Sequence, residues 1–188
     1  MRRRGSRIDG KNDPLPGSEV TKRLRAETHF LRARGYHRSG RFEEALAALD
    51  EAVAADPTFT RARTARAHLL RQLGRAGEAM DVIDRVLSDE PINAVALATK
   101  GILLQEMGRP DKALAAFEHA LHVVGEEDRS LIHYNFACYW ATAGETEECR
   151  QHLARALQLD PSKKSVAAVD PDFAKYADDD WFLELTAL

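Results

Sequence analysis

The chain has 188 residues, 44% of them apolar and 7% aromatic, with a formal net charge of −3. That length suits one domain of ordinary size, and an apolar set led by Ala and Leu favours closely packed helices over a β-sandwich, which would draw on more Val, Ile, Thr and aromatic residues. The charge is unevenly placed: residues 1–75 hold 17 Lys/Arg against 9 Asp/Glu, whereas residues 76–188 hold 10 against 21, so the sequence runs from a basic front to an acidic back.

Residues 1–17 are rich in Arg, Gly, Asp and Pro without periodicity, and are expected to form a mobile basic tail. No apolar stretch follows the positive start, so a secretory signal is not expected. Nor does any run of about 18 apolar residues occur that would span a bilayer. Cys138 and Cys149 are too few for a disulfide scaffold, which with the absent export signal makes a reducing cytoplasm the expected compartment. Ser18 is a plausible N-cap for a helix from about Glu19 to Ser39.

From that helix onward the chain repeats itself. Gly40, Gly74 and Gly108 are 34 residues apart, and Gly144 follows 36 later. Five residues after each glycine stand Ala45, Ala79, Ala113 and Cys149, and four further on Leu49, Ile83, Phe117 and Leu153. Next come Ala52, Val86, Ala120 and Ala156, and three copies close with Asp56-Pro57, Glu90-Pro91 and Asp160-Pro161. Ahead of the glycines lies a small-residue column of Ala33, Ala67, Gly101 and Ala137, then Tyr36, Leu70, Leu104 and Trp140. Each copy predicts a helix of about 14 residues, a turn at a glycine that accepts left-handed backbone, and a second helix ended by proline. Small residues let the two helices approach, and larger ones fill the gap between layers. One hairpin cannot bury its apolar face alone, but stacked copies can.

These columns resemble the tetratricopeptide repeat family over about three-quarters of the chain. The resemblance implies an all-α fold: a right-handed α-solenoid of four helix-turn-helix repeats (about 26–59, 60–93, 94–127 and 130–163) within a domain spanning 18–161. The chain departs from the pattern at His29, Arg63 and His133, where a large apolar residue is usual, and at Arg32, Arg66 and Lys100, where Leu is common. Long basic stems can cover apolar surface while their heads reach water. Two or three extra residues around Glu126-Glu127-Asp128 separate the third copy from the fourth.

The segment His133-Tyr134-Asn135-Phe136-Ala137-Cys138-Tyr139, taken with Val169-Asp170-Pro171-Asp172-Phe173 and Asp178-Asp179-Asp180-Trp181-Phe182, resembles an end-of-array module of bacterial tetratricopeptide proteins. A solenoid must cover its last apolar face. Residues 162–188 are therefore expected to form a short helical cap, with Phe173, Tyr176, Trp181, Phe182 and Leu185 as the lid. Asp178, Asp179 and Asp180 would favour the start of the last helix by capping and by its dipole.

Signals for catalysis fail one by one. The glycines are isolated at turns and form no phosphate loop, and no serine sits in a Gly-x-Ser-x-Gly setting. His119 and His122 share a helical face but lack a firm third ligand, so no metal or cofactor is expected. Cys138 and Cys149, on the two helices of the fourth copy, read as small buried apolar residues.

In this family the first helices line a concave groove. Transferred to these positions, the groove would carry Glu27, Phe30, Arg34 and His37, then Arg61, Thr64, His68 and Arg71, then Val95, Ala98, Ile102 and Gln105, then Leu131, Tyr134, Cys138 and Ala141. It would pass from basic to apolar, suiting a partner protein's peptide or helix with an acidic end and an apolar anchor. The residues present (Phe30, Arg34, Ala65, His68) do not reproduce the Lys–Asn–Asn–Lys–Arg clamp of chaperone-tail receptors. The function expected is a non-catalytic protein-interaction adaptor. The alternatives are a chaperone for a secreted or assembling substrate, nucleic-acid binding through Arg2, Arg3, Arg4 and Arg7 with the groove arginines, and head-to-tail self-association.

Overall fold

A computed structural model describes residues 18–187, so the tail expected over 1–17 and its arginines lie outside the described residues. The helices follow the repeat: α1 (Glu19–Arg38), α2 (Phe42–Ala55), α3 (Thr60–Gln72), α4 (Ala76–Asp89), α5 (Ala94–Glu106), α6 (Pro110–Val123), α7 (Glu126–Ala143) and α8 (Thr146–Leu159). Two short helices follow, α9 (Lys164–Ala167) and α10 (Asp180–Thr186), with 3-10 turns at Pro161–Lys163 and Pro171–Tyr176. No strand occurs among the described residues, and none of their helices is long and apolar enough to cross a membrane.

One device closes all four first helices. Gly40, Gly74, Gly108 and Gly144 have φ between 70° and 91°, a left-handed conformation that strains any residue with a Cβ. The next amide then reaches back five residues: Arg41 to the Tyr36 carbonyl (3.0 Å), Arg75 to Leu70 (2.8 Å), Arg109 to Leu104 (2.8 Å) and Glu145 to Trp140 (3.0 Å). These bonds satisfy carbonyls that the helix leaves open at its end.

The chain divides into two compact units at the link between Ala62 and Arg63. In the first, Ser18 caps α1 by accepting the Thr21 amide at 3.2 Å. Small residues of α1 and α2 (Ala26, Ala33, Ala45, Ala48, Ala52) are buried with Phe30, Leu46, Leu49 and Phe59. Among them lies a buried carboxylate. Asp56 accepts the Thr58 amide (2.9 Å), the Thr58 hydroxyl (2.7 Å) and Arg23 Nη1 (3.1 Å), and the Arg23 guanidinium lies 3.9 Å over the Phe59 ring. The Thr58 hydroxyl, and after it Arg23, hold the Asp56 carboxyl below its ordinary value against the opposing effect of burial. Because the folded state favours the charged form, this stability is present above the unfolded carboxylate value near pH 4 and disappears as pH falls through the lower folded value. Asp56→Ala is expected to cost about 2 kcal/mol at pH 7. In urea titrations the gap from wild type should close progressively below about pH 4.

In the second unit, α5–α8 and the C-terminal segment bury two clusters. One joins Leu97, Leu104, Phe117, Ile132, Phe136 and Tyr139; the other joins Ala137, Cys149, Leu153, Ala156, Phe173, Tyr176 and Phe182. The residues following Pro161 thus cover the last repeat. Asp179, expected to cap α10, makes no side-chain bond to the helix amides; its carboxylate takes the Trp181 indole N–H instead, at 3.1 Å. Four of the polar residues that depart from the repeat pattern are anchored by acids on neighbouring helices. Arg32 and His29 meet Glu51, Arg63 meets Asp89 at 2.7 Å, and Lys100 meets Asp84 at 2.6 Å.

Candidate partner-binding cleft

Within the second unit, three first helices and the C-terminal segment enclose a cleft of about 420 Å³. Helix α3 supplies His68 and Arg71, and α5 supplies Ile102, Gln105 and Glu106. From α7 come Tyr134, Asn135, Cys138, Tyr139 and Thr142, and from the C-terminal segment Asp170 and Asp172. On each helix the spacings of three and four put these residues on one face.

The cleft has two chemically distinct ends. At one, Arg71 Nη1 pairs with Glu106 at 2.7 Å, and Arg71 Nε is buried with no acceptor. At the other, the Tyr134 hydroxyl donates to Asp170 Oδ2 at 2.7 Å, and Asp170 Oδ1 accepts the Asp172 amide at 3.0 Å. Phe173 packs its ring on Tyr134 edge to face, with centroids 5.7 Å apart. Between the ends, Gln105 donates to Thr142 and to the Tyr139 carbonyl.

Electrostatics follow from this crowding. Burial, and then Asp170, push the Asp172 carboxyl above its ordinary value, while the bond to Cys138 and then Arg71 pull against them. Burial, then Asp170 and Asp172, raise the Cys138 thiol, and burial raises Cys149 to about 11. Both cysteines are free thiols, and burial favours their protonated form, the weaker nucleophile. Burial and the bond to Asp170 likewise raise the Tyr134 phenol.

Of the residues expected on a groove, His68, Arg71, Ile102, Gln105, Tyr134 and Cys138 line this cleft. Phe30 does not present itself to solvent: it is buried, with its ring 5.4 Å from Phe59 and Arg61 lying over it at 5.3 Å. Ala98 and Ala141 are fully buried as well. Arg34, His37 and Arg61 are exposed in the first unit, and Thr64 is half-buried in the second. The repeat period could not place Asp170 and Asp172 in the cleft, since they lie outside it. Their signal was the pairing of the Tyr134 segment with the Asp170-Pro171-Asp172 segment in one module, which the Tyr134–Asp170 bond makes physical. The carboxylates also change the expected electrostatics: Glu106, Asp170 and Asp172 outnumber Arg71 in the lining, so this cleft is not basic.

Residues 36–101 match a family model described as tetratricopeptide repeat, and residues 99–164 match a second of the same description. A search of curated proteins finds no match. Among solved structures, the chain resembles PilW, described as a widely conserved type IV pilus biogenesis factor (TM-score 0.66, 19% identity, 87% of this chain and 78% of that one). It also resembles PilF of Pseudomonas aeruginosa (0.64, 20%, 87% and 68%) and MamA from residue 41 of Desulfovibrio magneticus (0.54, 22%, 86% and 93%). At these identities the likeness is one of fold.

Proposed function

We propose, since the chain belongs to the tetratricopeptide repeat family, that it is a non-catalytic adaptor whose second-unit cleft holds a peptide or helical segment of another protein. The observation that carries this reading is the convergence of His68, Arg71, Ile102, Gln105 and Tyr134, from three successive first helices, on one cleft. A segment with an acidic end would place a carboxylate beside the exposed part of the Arg71 guanidinium, which Glu106 engages through Nη1. An apolar anchor would lie against Ile102 and Tyr139, and a donor on the same segment would meet Asp170 and Asp172. Two free thiols support a reducing compartment, the cytoplasm.

Affinity capture with the wild-type chain from its source cells, followed by mass spectrometry, identifies the partner. Arg71→Glu and, separately, Asn135→Trp, which fills the cleft, are each expected to weaken that partner's binding roughly tenfold, about 1.4 kcal/mol, with the circular dichroism spectrum unchanged. Undiminished binding by both variants would place the partner elsewhere on the chain.

A further inference from the structure

We propose that His133 and His152 together bind a divalent transition-metal ion of the kind that prefers imidazole ligands, such as copper(II), nickel(II) or zinc. The two residues are 19 positions apart, one on α7 and one on α8, and their Nδ1 atoms lie 3.0 Å from each other. In a tetrahedral site with metal–nitrogen bonds of about 2.0–2.1 Å, two ligand nitrogens stand roughly 3.3 Å apart. The pair is therefore within a few tenths of an ångström of the ligand separation such an ion requires, and ring rotation would turn both lone pairs toward it. The rings are tilted by 36° with centroids 5.2 Å apart, and Phe136 packs on the His152 ring at 4.4 Å, limiting its rotation. Both residues are half-buried, and water would supply the remaining coordination positions of a bound ion. The described residues bring no third His, Cys or carboxylate ligand to the pair.

Burial, above all, keeps the imidazoles in the neutral form a metal needs. Burial, then His152, Arg155 and Arg129, lower His133 to about 4, and burial lowers His152. Neutral rings offer lone pairs at pH 7. The arginines have other partners: Arg129 reaches Glu126 (3.3 Å) and the Val124 carbonyl (3.3 Å), and Arg155 donates to Gln158 (2.7 Å). Without a metal, one Nδ1–H donates to the other Nδ1. On binding, that proton moves to Nε2 of the same ring, both Nδ1 lone pairs face the ion, and no proton is lost. By contrast His119 and His122, the pair legible in the sequence, are exposed on one helix and serve as the control.

The experiment is calorimetric titration of the full chain, freed of metal by a chelator, with copper(II), nickel(II), zinc and magnesium chlorides. Binding of one ion per chain is expected, tightest for copper(II) and absent for magnesium. His133→Gln and His152→Gln should each weaken copper(II) binding roughly tenfold or more, whereas the double variant His119→Gln/His122→Gln should bind as wild type does. In the wild-type chain, which tests the site even where a variant fails to fold, sub-stoichiometric copper(II) should broaden amide resonances around residues 133 and 152 first. Broadening centred on residues 119 and 122, binding retained in folded His133→Gln/His152→Gln, or no copper(II) binding by folded wild type would each overturn the proposal.

Discussion

Phe117→Ala is expected to lower the free energy of unfolding by about 3–5 kcal/mol, the range for deleting a fully buried aromatic ring. Phe117 has no exposed surface and stacks on Phe136 with centroids 5.0 Å apart and planes 11° from parallel, and Tyr139 stands 5.3 Å away. The ring fills the space left by Gly101. A Cβ built on that glycine would lie 2.7 Å from the ring, nearer than atoms pack. Gly101→Ala is therefore expected to destabilise by about 1–3 kcal/mol, although alanine is the better helix former by about 1 kcal/mol. In the other repeats the equivalent positions pair Ala33 with Leu49, Ala67 with Ile83 and Ala137 with Leu153. The double variant Gly101→Ala/Phe117→Leu restores that combination and should be more stable than either single change. A denaturant-based double-mutant cycle measures the coupling, and additive losses would mean that glycine and ring do not compensate each other.

The second large effect belongs to the C-terminal segment. Phe173→Ala is expected to cost about 3–4 kcal/mol, because the ring is buried against Tyr134 and Phe182 at the end of the last repeat. The loss should spread to the cleft. Phe173 follows Asp170 and Asp172 directly, and its packing seats the carboxylate that accepts the Tyr134 hydroxyl. Thermal unfolding should show the lowered stability. Hydrogen exchange should show faster opening of α8 and the segment after Pro161 than of α5 and α6. Uniform acceleration across all helices would instead indicate that the cap carries no local stability of its own.

The repeat architecture was legible because it rests on short-range rules. Four glycines at helix ends, small residues at close approaches and prolines after second helices each act within a few positions of themselves, and the 34-residue spacing records their recurrence. The same reasoning grouped residues on the faces of first helices, among them His68, Arg71, Ile102, Gln105, Tyr134 and Cys138, which line the cleft. It misjudged Phe30, because helical spacing reports which residues share a face and not whether a neighbouring ring such as Phe59 covers it. It also read Gly101 and Phe117 as separate members of two columns, although their shapes match only when α5 and α6 are packed together.

Long-range juxtaposition was reserved to the folded chain. Asp170 and Asp172 enter the cleft because the segment after Pro161 doubles back on α7, and that return path has no period from which to read it. His133 and His152 meet because α7 and α8 pack antiparallel, bringing together imidazoles 19 residues apart, while the adjacent His119 and His122 remain on an exposed surface. Backbone conformation and helix termini are set by neighbours in the chain, and these the sequence states openly. The polarity of the cleft and the pairing of the histidines depend on which surfaces come together once apolar faces are buried, and so they took their form only in the packed repeats.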